Sequence, residues 1–154
     1  NSGGAEFMNV PIKDRDRTND RAVTSPINNK VQEMFNRVKK HLLTQNQRSM
    51  LNDSDCAYKS DDGLRCAIGV LIPEADYEPI MEMHGPVRVN RPVMTVLITE
   101  FQLSGFRQEE QDYFMNAASD LQSIHDTTMP EGWPILLANF AAAYKIIDTP
   151  MEQL

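Results

Sequence analysis

No run of about 18 apolar residues occurs in this 154-residue chain, so the sequence predicts no membrane-spanning helix. Glycine-rich phosphate loops are missing too: among seven glycines, neither GxxxxGK followed by Ser or Thr nor GxGxxG occurs, which removes the recognisable nucleotide cradles. Two cysteines, Cys56 and Cys66, and three histidines, His41, His84 and His125, do not make the two close ligand pairs that a structural zinc usually takes. No apolar signal segment follows Met8, and the preceding NSGGAEF reads as an expression scar, so the expectation is a cytoplasmic protein with reduced thiols. Internal repeats and low-complexity runs are lacking as well.

What is present suffices for one domain, since 41% of the residues are apolar. The net charge of -7 is unevenly spread. Residues 25–50 hold Lys30, Arg37, Lys39, Lys40 and Arg48 against Glu33 alone, whereas residues 51–154 hold six basic and seventeen acidic groups. A chain acidic over most of its length repels phosphates, because nucleic-acid binding depends on cationic groups that release counterions. That argues against direct binding of DNA or RNA.

Residues 1–24 alternate charges and carry few large apolar groups, so burial there does not offset the entropy of ordering, and a flexible arm is expected. One globular domain over 25–148 and a frayed tail over 149–154 complete the expected organisation. Ser25 and Pro26 are suited to open a helix, and Ile27, Val31, Met34, Phe35, Val38 and Leu42 recur at three- and four-residue steps, which predicts an amphipathic helix over 27–45. The lysines and arginine of this segment fall largely off that face. "RPVMTVLITEFQLSG" predicts a helix over 92–103, with a strand as the alternative because of its β-branched residues. A third helix over 108–125 follows from the Phe114, Ala117, Ala118, Leu121, Ile124 stripe, with Glu109, Glu110 and Asp112 in its favourable first turn. The last helix lines Trp133, Leu136, Leu137, Phe140, Ala141 and Tyr144 on one face; Thr128 and Glu131 have capping-box spacing, but Pro134 would interrupt a helix started there, so the helix is expected to begin in earnest at Pro134.

The most patterned stretch is "CAYKSDDGLRCAIG", residues 56–69. With Asp61, Asp62 and Gly63 as a three-residue loop, Ser60 faces Leu64, Tyr58 faces Cys66 and Cys56 faces Ile68. Strand alternation then puts both cysteines on the buried face of a β-hairpin. The expected fold class is therefore α+β: a predominantly helical single domain of about four helices with one β-hairpin near 55–69.

These residues resemble a group of short bacteriophage and prophage proteins that share a helix ending in "HLLTQ..RS", then "CAY....G..CAIG.LIP...Y", and later "LQ.IHD" before a tryptophan. The matching pieces are His41–Gln45, Arg48, Ser49, Cys56–Tyr58, Gly63, Cys66–Gly69, Leu71–Pro73, Tyr77, Leu121–Asp126 and Trp133, spread over roughly 30–145. The resemblance transfers no activity. It implies a setting in which small non-catalytic proteins bind and disable host proteins.

Reactive chemistry finds little support in the sequence. The cysteines, with nine residues between them, read as small apolar packers, with zinc ligation, a disulfide and nucleophilic catalysis as lesser readings. His125 and Asp126, adjacent at a helix end, are expected to point in different directions, leaving the imidazole without an orienting carboxylate. Glu109 with Glu110 and Asp61 with Asp62 have structural settings, a helix start and a turn. No catalytic residue, metal ligand or cofactor is expected. The expected function is that of a non-enzymatic phage accessory protein in the host cytoplasm, which inhibits a host protein through Glu74, Asp76, Glu78, Met81, Glu82, Met83, Glu109, Glu110 and Asp112, with acidic mimicry of nucleic acid as one means of doing so. The alternative is a small-molecule binder or enzyme with a pocket between the hairpin and the LQSIHD helix, lined by Tyr58, Cys66, His125 and Trp133.

Overall fold

The computed structural model describes residues 25–154, so the expected arm and the scar lie outside the described residues. Four α-helices carry the core: α1 (Pro26–Gln45), α2 (Arg91–Glu100), α3 (Gln108–Thr127) and α4 (Trp133–Tyr144). None of them is long and apolar enough to cross a membrane. α3 packs against both α1 and α4, and Phe35 of α1 stacks on Phe140 of α4 with ring centroids 5.6 Å apart.

Local chemistry sets the helix ends. Ser25 accepts a hydrogen bond from the Asn28 N–H at 3.3 Å to open α1, and Asn46, left-handed at φ 53°, closes it. Lys39, expected on the polar face, is only 8% exposed: its stem lies along the protein and its ammonium donates to Asp148 at 2.6 Å and to the Thr149 carbonyl at 2.7 Å. The tail expected to fray is thus tied down at its start, and Met151–Gln153 form a 3₁₀ turn.

Segment 91–103 is helical despite its β-branched residues. Asn90 caps it by accepting from the Val93 N–H, and Val93, Leu97 and Phe101 recur at four-residue steps into the core. It stops at Glu100, earlier than expected, because Gln102 turns left-handed at φ 57° and the Leu103 N–H reaches back to the Ile98 carbonyl. α4 begins at Trp133 after a 3₁₀ turn over Pro130–Gly132, with Pro134 harmless in its first turn.

The β-hairpin does not exist. Among the described residues there is no strand, only isolated bridges joining Met50 to Cys56 and Lys59 to Arg65, so the fold is mainly helical rather than α+β. The turn itself forms: Gly63 is left-handed at φ 87°, and the Ser60 N–H bonds the Leu64 carbonyl at 2.9 Å. Beyond the Cys66 N–H bond to the Tyr58 carbonyl the two arms diverge. Cys56 turns toward Met50, while Gly69–Leu71 coil into a 3₁₀ turn. Burial gives the reason. Ala57 and Tyr58 are both buried, as are Cys66, Ala67 and Ile68, and consecutive residues cannot all face one side of a pleated strand. Coiling buries them all, and Gly69 permits it: a Cβ there would lie 1.8 Å from the Tyr58 carbonyl oxygen.

Candidate functional site

Between the 50–58 segment, the Pro79–Met83 turn and the last turns of α3 lies a cleft of about 500 Å³. Tyr58 and Cys66 line it, as expected for the alternative pocket. His125 and Trp133 do not. Both are fully buried behind it, with their rings stacked at 5.6 Å, and their places in the lining are taken by Gln122 and Asp126. Sequence reasoning missed these two as a pair, although residues four apart on a helix share a face.

The histidine is wholly engaged. Its Nε2 accepts from the Ser49 N–H at 2.9 Å, which places the ring proton on Nδ1, and Nδ1–H donates to the Asp126 carboxylate at 2.7 Å. The expectation that Asp126 cannot orient this imidazole is therefore corrected: in the final turn of α3 the short aspartate side chain folds back along the helix end to reach its neighbour. The result is a positioned histidine with both ring nitrogens engaged.

The two cysteines are free thiols in unlike settings. Cys66 is 1% exposed, its sulfur accepts from the Gly69 N–H at 3.2 Å, and burial pushes the thiol up to about 12. Cys56 is half-buried on the cleft wall, with Arg48 Nη2 at 3.5 Å and Met50 Sδ at 3.8 Å. Burial raises its thiol too, opposed by the hydrogen bond from Arg48. Neither setting generates a thiolate nucleophile at neutral pH.

Cys56, His125 and Asp126 bring donor atoms within 4.8 Å of one another. The geometry does not fit a metal ion. A ligating Nδ1 would move its proton to Nε2, which faces the Ser49 N–H, and the Arg48 guanidinium already stands beside the sulfur.

The residues expected to bind a partner do not form one site. Glu74 is held by Lys59 at 2.6 Å and by Arg65, and the Lys59 bond holds its carboxyl below the usual range. Glu82 is half-buried and accepts from the Tyr58 and Lys59 N–H groups at 3.0 Å and from the Tyr77 hydroxyl at 2.7 Å. Met81 is buried, whereas Met83 is 78% exposed, and Asp76 and Glu78 are exposed. Glu109 pairs with Arg107 at 3.0 Å, Glu110 accepts the Arg107 N–H, and Asp112 accepts from Gln108. These last three sit at the opposite end of α3 from Asp126, roughly 20 to 25 Å along the helix at about 1.5 Å per residue.

A second depression of about 460 Å³ adjoins the cleft, since Leu51 and Glu82 line both. Its other walls include Tyr77, Pro79 and Met83. Together the two make a groove, one end lined by Asp55, Glu82 and Asp126 and the other mixing Pro79 and Met83 with Lys59, Ser60 and Asp61. No protein-family model, curated protein or solved structure matches the chain.

Proposed function

We propose that this protein is a non-enzymatic bacteriophage accessory protein that binds a host protein and blocks it, with the groove beside Leu51 as the contact surface. The observation that carries this reading is the exposed apolar rim: Leu51, which lines both depressions, is 49% exposed, and Met83, on the smaller one, is 78% exposed. Covering such groups yields about 25 cal/mol per Å² of apolar surface removed from water. The phage setting comes from the resemblance of the 56–69 and 121–126 segments. Docking fits the geometry better than mimicry of a phosphate array, because Glu74, Glu82, Glu109 and Glu110 are already paired with donors of this same chain. A second reading, a small-molecule binder, is favoured by the cleft volume of about 500 Å³, which suits such a ligand.

Affinity capture from a host bacterial lysate tests the first reading. One dominant partner is expected, retained at about 0.5 M salt because apolar contacts are not screened. Leu51→Asp combined with Met83→Asp abolishes capture without lowering the unfolding temperature. No partner, or equal capture by the double variant, would overturn the proposal.

A further inference from the structure

We infer that the outer face of α4 pairs with the same face of a second copy of this chain, the two helices running antiparallel about a two-fold axis near Ala138. α4 differs from its neighbours in carrying no charged side chain from Gly132 to Tyr144. α1 turns Glu33 and Lys40 to water, and α3 turns Glu109, Asp112 and Asp120. On α4 the residues facing away from the core are Ile135, Ala138, Asn139 and Ala142, and Ile135 is 69% exposed. A helix apolar on nearly every side belongs in an interior, yet the buried Trp133, Leu137, Phe140 and Ala141 account for one side only.

An uncovered apolar face does not say what covers it; its charged ends do. Glu131 stands just before α4 and Lys145 just after it, both exposed, and neither forms an ion pair with another described residue. Each lies seven positions from Ala138, so an antiparallel copy brings Glu131 to the partner's Lys145, and symmetry makes the contact twice. A parallel copy would set Glu131 against its own kind. The same overlay seats Ile135 against the small Ala138 and Ala142 of the other copy, which lets the helix axes approach to about 8 Å. Asn139 falls close to the axis, where an amide that both donates and accepts can bond its own copy. One helix pair buries less than about 1,200 Å² in all, so a reversible dimer is expected, with a dissociation constant on the order of 100 μM. No residue of α4 lines the groove beside Leu51, and the pairing stands apart from the docking reading.

Analytical ultracentrifugation of the full chain between about 1 μM and 1 mM reads the equilibrium directly. The average mass is expected to climb with concentration toward that of two chains. Ile135→Asp, at an exposed position, leaves the unfolding temperature unaltered and holds the chain monomeric throughout. Glu131→Lys sets like charges together at both ends and weakens the dimer about fivefold, even though it makes the chain less acidic. Lys145→Glu weakens it by a similar factor, and the two exchanges combined restore it to within about twofold of the original. That recovery belongs to a reciprocal Glu131 to Lys145 contact, because the combined variant keeps the original net charge. A chain still monomeric at about 1 mM, a dimer untouched by Ile135→Asp, or a combined exchange no tighter than either single one overturns the inference.

Discussion

The helical regions and the segment 46–90 solve the same problem by different means. α1, α3 and α4 satisfy their own backbone groups and are joined by apolar faces, so each side chain in the seam acts mainly by its bulk. Segment 46–90 has only turns of three to five residues, and its buried peptide groups draw their partners from side chains distant in sequence. Glu82 accepts the N–H groups of Tyr58 and Lys59, Gln45 brackets the Arg65 peptide, and Arg65 holds the carbonyls of Gly69 and Ile72. Gln122 accepts the Val87 N–H, and His125 accepts that of Ser49. Fully buried Asn90 donates to the Met81 and Gly85 carbonyls at 2.8 Å while capping α2. Irregular backbone can thus be buried next to a cleft when polar side chains replace the missing ladder.

The severest challenge to this contrast is a single methyl group. Gly69→Ala forces a Cβ against the Tyr58 carbonyl, and a loss of about 4 kcal/mol or outright failure to fold is expected, read by chemical denaturation. Gly63→Ala meets no atom within 4 Å and bears only its left-handed φ, so its cost is about 1 kcal/mol. Next comes a paired measurement. Asn90→Ala removes the amide donor shared by the Met81 and Gly85 carbonyls, leaving them the His84 N–H and the Tyr58 hydroxyl, and uncaps α2, with an expected loss of about 3 kcal/mol, equal to that of Leu97→Ala in the apolar seam. An Asn90→Ala loss below about 1 kcal/mol would remove the distinction between the regions.

Thiol labelling compares the two walls of the cleft itself. Cys56 should react with an aromatic disulfide reagent in the native protein, and Cys66 about a thousandfold more slowly, at the rate of opening. The smallest effect concerns acid. His41, half-buried and donating from Nε2 to the Arg65 carbonyl at 2.9 Å, has its pKa lowered from 6.5, chiefly by burial. The unfolded chain therefore takes up the proton first. The stability from this group is complete above pH 6.5 and is lost as pH falls through its lower folded value. His41→Gln should flatten the fall between neutral and mildly acidic pH, by well under about 1 kcal/mol once partial exposure is discounted.

Much of the helical architecture was legible in the sequence because it is local. Ser25 before Pro26, the Phe114 to Leu121 stripe and the three-residue loop at Gly63 each depend on neighbours within a few positions. The candidate site was half legible: Tyr58 and Cys66 line the cleft, but His125 and Trp133 are sealed behind Gln122 and Asp126. No periodicity announces that Gly69 presses on Tyr58 or that Ser49 fixes an imidazole 76 residues away.

The amino-acid order by itself determined that α1, α3 and α4 form and which of their faces turn inward, since spacing and caps act over one or two turns of chain, whereas it left 92–103 open between helix and strand. Only the tertiary structure decided that residues 56–69 coil rather than pair as strands, and that carboxylates from three separated segments meet in one cleft. Consecutive apolar residues can all be buried only once other parts of the chain supply both the cover and the missing hydrogen bonds.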